Sequence, residues 1–375
     1  MRPISRGRGS KVWSAIELAE AMVAAVFAIP GDITLPTGGY AYDREVLARL
    51  PSMGMDVRHL ELPGGYPDPS KDDLARTAAL VAATGRDTVL LIDGLAFGAM
   101  PAALVDGFDR TIVALVHHPL CLEAGLAPAR AEALRELETA ALARAARVVV
   151  TSPTTARTLT ADFGVPAERI TVAVPGTEPA TRAVGSKGAG GNVVLLAVGS
   201  IVPRKGYDVL VRALEIDAAT HAPDWTLSIV GAIDRSPATV EALRDQIAAA
   251  GLGDRIDIAG PRSRSQLDGF YDRADIFVLS SHYEGYGMVL AEALARGLPI
   301  AMTTGGASAE TVPDGAALKV APGDSAALQQ ALRRLIDDAT LRGRIADAAW
   351  AAGQTLPRWS DAAALIAQTI KEARR

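Results

Sequence analysis

Cysteine is nearly absent from this sequence: Cys121 is the only one among its 375 residues. A single thiol excludes a disulfide framework and a zinc site built from several cysteines. Histidine is scarce as well, and none of the five histidines forms a His-x-x-x-His pair of the kind that binds zinc on a helix. We therefore predict no metal site of these kinds, and we interpret Cys121 as a small, packed apolar side chain.

Long apolar runs and an excess of one charge are also missing. No run approaches the ~20 apolar residues that a helix needs to cross a bilayer. The net charge is −5, with acidic and basic side chains interspersed. A nucleic-acid-binding protein normally carries a basic stripe, and a membrane-docking face is typically polybasic. We therefore exclude nucleic acid as the main partner, find no indication of membrane association and expect a cytoplasmic protein.

The first twenty-one residues differ from the rest. Basic residues precede the apolar stretch Met22–Ile29, which superficially resembles a signal peptide. However, Glu17 and Glu20 interrupt the apolar run, and the stretch after Met22 is better suited to a first strand. We expect residues 1–21 to be a disordered extension, or to precede a natural start at Met22.

From Met22 onward, short apolar runs alternate with longer amphipathic stretches. The runs are rich in Val, Ile and Leu and lack polar alternation, which is typical of strands buried on both faces of a parallel sheet. The predicted strands are Val23–Ile29, Val57–Leu62, Thr88–Ile92, Thr111–Val116, Val148–Thr151, Ile170–Val174, Val193–Val198, Leu227–Val230, Ile256–Ala259, Ile276–Leu279, Ile300–Met302 and Leu318–Val320. Their alternation with helical stretches indicates right-handed crossovers in open sheets.

The segment Pro179–Gly191 divides this pattern, because small residues and glycines dominate it as in a linker. We therefore predict an α/β protein of two Rossmann-like, doubly wound domains, residues 22–185 and 186–375. We allow for packing of the last helix back on the first domain. Ligands of such sheets bind beyond the carboxyl ends of the strands, so the active site is predicted in the cleft that the two domains face.

The most informative segment is Ser281–Pro299, which reads S-H-Y-E-G-Y-G-M-V-L-A-E-A-L-A-R-G-L-P. Its glycines let the backbone approach a ligand closely. A helix is predicted from about Met288, and its free N–H groups suit a diphosphate or sugar hydroxyls. One turn later, Glu292 can accept two hydrogen bonds from a ribose diol. The alternatives are a helix-capping role for Glu284 and a solvated helix position for Glu292.

Glu284 opens the sequence E-G-Y-G, and Glu292, after seven intervening residues, opens E-A-L-A-x-G-x-P. This pair resembles the E-x7-E signature of family-4-like retaining glycosyltransferases. These enzymes have the GT-B fold, and the resemblance is strongest over Val198–Asp324. It implies that Glu284 contacts the donor sugar as a catalytic residue and that Glu292 contacts the ribose. The donor-binding turn that it implies consists of Gly285, Tyr286, Gly287 and Met288.

A second motif, Val198–Gly206, reads V-G-S-I-V-P-R-K-G. Lys205 is a mobile point charge suited to a phosphate, and Arg204 can bind one bidentately. Similar enzymes carry G-R-x…K-G here, so the resemblance implies that Lys205 is catalytic at the donor diphosphate. Ser200 stands where the arginine is expected, and we predict that Arg204 or a first-domain residue replaces it. The alternative is that both cations are solvated loop charges.

Two further motifs lie in the predicted first domain. Thr37–Tyr40 reads T-G-G-Y, and a Gly-Gly loop at a helix start can bring backbone N–H groups to a phosphate. The resemblance implies that Gly38 and Gly39 touch the donor phosphate, although most Gly-Gly pairs are turns. Val116–Leu120 reads V-H-H-P-L at the carboxyl end of a predicted strand.

In the segment Val116–Leu120, the resemblance implies a histidine near the 6-hydroxyl of the donor sugar and the reacting face. We favour His117 as the catalytic histidine and keep His118 as a donor-binding alternative, because two adjacent histidines leave open which one aligns with the family's histidine. A loop histidine that merely caps the strand is the other interpretation. Finally, Thr303–Glu310 reads T-T-G-G-A-S-A-E and resembles the family's G-G-x-x-E segment, in which we interpret Glu310 as orienting its loop.

The resemblance implies transfer of a hexose-type sugar from a nucleoside-diphosphate-sugar to an acceptor hydroxyl, with retention at the anomeric carbon. No Asp-x-Asp metal motif precedes a short strand, so we expect a metal-independent reaction and no cofactor besides the donor itself. The alternatives are a nucleotide-sugar epimerase, a sugar phosphorylase, or a non-catalytic two-domain sugar- or nucleotide-binding protein. The donor base and sugar, the acceptor, the linkage and the oligomeric state are not readable from the sequence.

Overall fold

The computed structural model describes residues 23–186, 192–220 and 225–374. The predicted extension, residues 1–21, lies outside the described residues, as does the end of the predicted linker, residues 187–191. Within the described ranges, twelve strands form two parallel sheets of six strands each. The predicted α/β, doubly wound architecture is confirmed, and each predicted strand coincides with an observed one to within two residues at either end.

The first sheet has the strand order β2-β1-β3-β4-β5-β6. Its strands are β1 Val23–Pro30, β2 Met55–Leu62, β3 Val89–Asp93, β4 Ile112–Val116, β5 Arg147–Val150 and β6 Ile170–Val172. The helices of this half are α1 Gly38–Arg49, α2 Lys71–Ala82, α3 Gly94–Phe97, α4 Ala102–Asp106, α5 Pro128–Leu142 and α6 Pro153–Asp162. Every residue of β3 and β4 is buried, because helices cover both faces of the sheet.

The second sheet has the order β12-β11-β10-β7-β8-β9. Its strands are β7 Val193–Val198, β8 Trp225–Val230, β9 Ile256–Gly260, β10 Ile276–Leu279, β11 Ile300–Thr303 and β12 Ala317–Val320. The remaining helices are α7 Tyr207–Thr220, α8 Pro237–Ala249, α9 Arg264–Arg273, α10 Met288–Ala295, α11 Ser308–Thr311, α12 Ser325–Asp337, α13 Ala339–Gly353 and α14 Trp359–Ala373. None of the helices described is long and apolar enough to span a bilayer.

The last helix, α14, lies against the first sheet rather than the second. Its Trp359, Ile366 and Ile370 belong to the same buried cluster as Phe27 of β1. Thr369 Oγ1 also donates a hydrogen bond to Thr171 Oγ1 of β6 at 3.0 Å. We therefore call β1–β6 with α1–α6 and α14 the N-terminal lobe, and β7–β12 with α7–α13 the C-terminal lobe.

Gly176 lies where the chain meets the start of α14. A Cβ atom at this position would collide with the backbone N and Cα of Trp359. Gly343 in α13 has no atom within 4 Å of such a Cβ, and neither glycine has a positive φ. The two positions therefore form a matched pair for measuring how strongly the crossover holds α14 on the N-terminal lobe.

We predict that Gly176→Ala lowers the stability of the N-terminal lobe by about 1–3 kcal/mol, because one backbone segment must move away from the other. Gly343→Ala should leave the N-terminal lobe unchanged and can raise the stability of the C-terminal lobe by ~1 kcal/mol, since alanine favours a helix. Urea unfolding of both variants checks this. An unchanged midpoint for Gly176→Ala would show that α14 is not held closely at this crossing.

Candidate functional site

The strand orders place a topological switch point in each sheet. The second sheet reverses between β7 and β10, and the loops that follow these two strands are the predicted Lys205 and Glu284 segments. The first sheet reverses between β1 and β3, where the loop after β1 leads into Gly38 and β3 ends at Asp93. Ligands of open α/β sheets bind at such points, so the fold itself selects these loops as the candidate site.

Glu284 is the centre of the site in the C-terminal lobe. Its Oε1 accepts hydrogen bonds from Lys205 Nζ and from Ser281 Oγ, both at 2.6 Å, and its Oε2 lies 3.4 Å from Arg204 Nη1. The side chain is only 8 % exposed. Burial by itself would raise the pKa of Glu284, but Lys205 and Arg204 lower it to about 2. Glu284 is therefore a buried carboxylate that is ionised at neutral pH.

The backbone around Glu284 is held by the Gly305–Gly306 turn. Glu284 N donates to Gly305 O at 3.1 Å, and Ala307 N donates to Glu284 O at 2.8 Å. A Cβ on Gly306 would collide with the backbone of Glu284, and Gly306 also has a positive φ of 67°. The predicted glycines of this segment therefore fix the carboxylate through its main chain.

Arg204 joins the two lobes. Its Nε donates to Glu123 Oε1 of the N-terminal lobe at 3.1 Å, and its Nη1 donates to Tyr283 O at 2.8 Å. The interpretation of Arg204 and Lys205 as solvated loop charges is wrong, because their side chains are 17 % and 12 % exposed and both contact Glu284. The site thus gathers two cations at Glu284, although Ser200 stands where the resemblance leads us to expect an arginine.

The predicted donor-binding turn begins α10. Gly287 is the N-cap residue with φ 91°, a left-handed conformation that favours glycine. Met288 packs against the core cluster of the N-terminal lobe, and burial raises the pKa of Tyr286 to about 12. A Cβ on Gly285 would collide with the carbonyl oxygen of His117. This turn is therefore one place where the two lobes are in direct contact.

Glu292 is not a solvated helix residue. Its Oε1 accepts a hydrogen bond from Arg264 Nη1 at 2.6 Å, its Oε2 accepts one from Tyr271 Oη at 2.9 Å, and the side chain is 17 % exposed. The carboxylate lies one turn into α10, as the spacing predicted. Arg264 and Tyr271 orient it, and the sequence motif gave no sign of either.

The structure separates the two neighbouring histidines. His117 lies between the two glycine turns, since a Cβ on Gly39 would approach its Cδ2 to 3.3 Å and Gly285 packs on its carbonyl. His118 instead places Nε2 3.2 Å from Glu123 Oε2. Gly38 and Gly39 begin α1, as predicted, with Thr37 as the N-cap. The ring of His117 is thus the one beside Gly39, whereas His118 lies beside Gly285 and Tyr283 and pairs with Glu123.

Two aspartates that sequence reasoning missed surround His117. Nε2 of His117 lies 3.2 Å from Asp43 Oδ1 and 3.3 Å from Asp93 Oδ2. Carboxylate and imidazole groups are also metal ligands, and within the described ranges this is the one group of three such side chains whose atoms all lie within 4.8 Å. Asp93 was detectable in principle, because it is a polar residue ending a buried strand at the ligand-binding edge.

Glu310 forms an ion pair with a residue of the opposite lobe. It pairs with Arg157 of α6, because α11 faces the N-terminal lobe. The predicted structural role of Glu310 is compatible with this ion pair, but the sequence gave no indication that its partner lies in the other lobe. Cys121 is free and buried, as predicted.

Comparison with protein families identifies both halves of the chain. Residues 183–351 match the model described as glycosyl transferases group 1. Residues 13–176 match the model described as glycosyl transferase 4-like domain. The two matches together span most of the sequence, and each coincides with one of the two sheets.

Curated relatives are similar over part of the chain. The D-inositol 3-phosphate glycosyltransferase of Acidothermus cellulolyticus is 33 % identical over 224 residues, which cover 55 % of this chain and 50 % of the relative. The mannosylfructose-phosphate synthase of Agrobacterium fabrum is 32 % identical over 173 residues, which cover 42 % of this chain and 38 % of the relative. The chain therefore spans about half the length, or less, of these curated relatives.

Solved structures share the fold over almost the whole chain. A sucrose-phosphate synthase from Thermosynechococcus elongatus superposes with a TM-score of 0.75 at 20 % identity, covering 93 % of this chain and 98 % of that one. HepE of Anabaena, in complex with UDP and glucose, superposes with a TM-score of 0.73 at 18 % identity, covering 93 % and 100 %. At these identities, the likeness shows the two-lobed GT-B fold.

We predict that Glu284→Gln lowers the free energy of unfolding at pH 7 by about 3 kcal/mol, because it leaves buried cations without their carboxylate. The pKa of Glu284 lies below its ordinary value of 4.5, so its charge contributes stability above about pH 4.5 that is lost as the pH falls toward 2. Denaturant unfolding of the variant measures this.

Glu310→Gln is the matched control. It also removes one carboxylate from a contact between lobes, but its partner Arg157 is 63 % exposed. Such an exposed pair contributes at most about 1 kcal/mol. Equal effects of the two variants would contradict the central position given to Glu284.

Proposed function

This chain belongs to the group 1 glycosyl transferases, with a 4-like domain in its N-terminal half, and from that premise we propose its reaction. It transfers a hexose-type sugar from a nucleoside-diphosphate-sugar to the hydroxyl group of an acceptor, with retention at the anomeric carbon and without a metal ion. The donor lies in the cleft between the lobes, on the C-terminal lobe. The acceptor approaches from the N-terminal lobe.

The observation that supports this most strongly is the junction of four predicted motifs at one point. Glu284 with its two cations, the turn that begins α10, the Gly38–Gly39 start of α1 and His117 all lie where the two lobes meet. These motifs come from widely separated parts of the sequence. A sugar diphosphate needs this combination of a hydroxyl acceptor, phosphate-binding cations and free N–H groups.

Charge stabilisation is the main demand of the proposed reaction, because negative charge grows on the departing diphosphate. Lys205 carries three N–H donors, of which Glu284 needs one, so it can bind a phosphate oxygen as well. The N-terminal N–H groups of α10 add a positive dipole end. Arg204 is the second cation of the site, and these groups together substitute for a divalent ion.

Glu284 acts in this scheme as a hydrogen-bond acceptor for sugar hydroxyls, not as a base. A carboxylate with a pKa of about 2 has little tendency to take a proton near neutral pH. The acceptor's proton is therefore proposed to pass to the leaving phosphate oxygen. The acceptor hydroxyl attacks on the face that the diphosphate leaves, which gives retention.

The similar proteins suggest which substrates to test. HepE was solved with UDP and glucose, and the names of other relatives contain inositol 3-phosphate, mannosylfructose-phosphate and sucrose-phosphate. We propose UDP-hexoses as the first donors and phosphorylated polyols or sugars as the first acceptors. GDP- and ADP-sugars complete the donor panel.

The proposed activity is tested by incubating the full chain with each donor and acceptor in the presence of EDTA. We expect nucleoside diphosphate to be released only when the acceptor is present. NMR should show that the product keeps the anomeric configuration of the donor. Release only on addition of phosphate would indicate a phosphorylase, and conversion of the donor without release would indicate an epimerase. Binding without turnover would indicate a binding protein.

We predict that Glu292→Gln weakens binding of the nucleoside diphosphate about tenfold or more, because a charged acceptor for the ribose hydroxyls is lost. Isothermal titration with UDP, or with the nucleotide found above, measures this. Glu241→Gln, on the exposed side of α8, is the control and should bind like the wild type. If Glu292→Gln binds nucleotide normally but unfolds more easily, the carboxylate merely joins α9 to α10 through Arg264 and Tyr271.

A further inference from the structure

Three side chains from three separate elements meet at a single nitrogen atom in the N-terminal lobe. Asp43 comes from α1, Asp93 from the end of β3, and His117 from the loop after β4. Both carboxyl groups lie within hydrogen-bond distance of His117 Nε2, at 3.2 and 3.3 Å. The Asp43 side chain is completely buried, that of Asp93 is 3 % exposed, and that of His117 is 21 % exposed.

The charges of this group favour either a nearby cation or a proton held between the two carboxyl groups. Two buried carboxyl groups face each other, and no lysine or arginine of the described ranges is ion-paired with either of them. One oxygen of Asp43, Oδ2, is buried without any partner. Burial, followed by the charge of Asp93, raises the pKa of Asp43 to about 7. The imidazole of His117 is the group that can supply the missing positive charge.

The pKa of His117 is shifted in the opposite direction from that of an ordinary buried histidine. Burial by itself would lower its pKa, but the charges and hydrogen bonds of Asp43 and Asp93 raise it to about 10. The other groups that face the ring do not reverse the rise in its pKa. Tyr42 presents its ring edge-on at 5.3 Å between centroids, with its hydroxyl bonded to Ala173 O.

Two further groups lie near the two aspartates. Burial, with the charges of Asp93 and Asp43, raises the pKa of Tyr40, at the start of α1, to about 12. Arg235, from the loop after β8, acts on Tyr40 from the C-terminal lobe with the opposite sign. Across the cleft, His117 meets the backbone of Gly285, which carries no charge.

The ring is also fixed in orientation. Nε2 faces the aspartates, and Gly39 packs beside the Cδ2–Nε2 edge. Nδ1 lies on the other side of Cε1 and makes no hydrogen bond to any residue in the described ranges. The side chain of His117 is 21 % exposed, so part of the ring is open to solvent while Nε2 is occupied by the aspartates.

We propose that Asp43 is a positioning residue which, together with Asp93, holds His117 as an imidazolium, so that Nδ1–H donates a charged hydrogen bond to an oxygen of the bound substrate. His117 is then a permanent donor across the neutral pH range and not a general base. The substrate part of this inference rests on the proposed function. The charge state of His117 does not, and it can be measured without substrate.

The first test is an NMR titration of the full chain labelled with 15N-histidine, with His117→Gln used to assign the signal. We expect both ring nitrogens of His117 to remain protonated from pH 6 to pH 9 in the wild type. In Asp43→Asn, one carboxylate is gone, and His117 should lose its proton within this range. Asp56→Asn, at an exposed position on β2, is the control and should leave the titration unchanged.

A wild-type His117 that titrates near 6.5 would overturn the proposal, whether or not Asp43→Asn folds. So would one equivalent of a divalent ion in the purified wild type that Asp43→Asn lacks, because the three side chains would then be metal ligands. Neither result depends on the transferase activity, so a failure here is distinguishable from a failure of the proposed function.

The second test follows kcat and KM with pH once a donor is known. For the wild type, we expect kcat not to fall as the pH rises from 7.5 to 9. For Asp43→Asn, kcat should fall with rising pH, by about tenfold per pH unit above the lowered pKa of His117, while KM for the donor changes less. A uniform loss at every pH would mean that Asp43 supports only the fold, which contradicts the proposal.

Discussion

The buried carboxylate of Glu284 is the interaction on which the candidate site depends. It joins the loop after β10 to the loop after β7 through Lys205 and Arg204, and thereby closes the switch point of the second sheet. A buried charge of this kind is tolerated only with good partners. The loops on both sides are therefore constrained to meet, and Arg204 extends the same network to Glu123 of the other lobe.

The topology determines where this network can act. Parallel strands place all their carboxyl ends at one edge, and each sheet directs that edge, with its switch point, toward the other lobe. α14 then returns to the N-terminal lobe, so that the chain crosses between the lobes more than once. The contact of Gly285 with His117 and the ion pair of Arg204 with Glu123 both join the two edges.

The sequence predicted what depends on local pattern. Apolar runs predicted the strands, and motif spacing placed Glu284, Lys205 and His117 on loops that do meet. It could not predict partners that arise only from packing: Asp43 and His117 lie 74 positions apart, and a single aspartate after a Gly-Gly turn has no distinctive pattern. The same reason explains Glu310, whose partner Arg157 lies on a different lobe.

The two charged groups of the cleft differ in a way that matches the proposed reaction. In the C-terminal lobe, one carboxylate is shared by two cations, an arrangement suited to a leaving diphosphate. In the N-terminal lobe, two carboxyl groups surround one imidazolium, which leaves that side less positive. Glu123 belongs to the same side but is 41 % exposed, so water screens its charge.

During transfer, negative charge grows on the diphosphate while positive charge grows at the anomeric carbon. In the proposed reaction, a field that runs from the Lys205–Arg204 pair to the two aspartates stabilises both changes at once, and fixed charges do so without reorganisation.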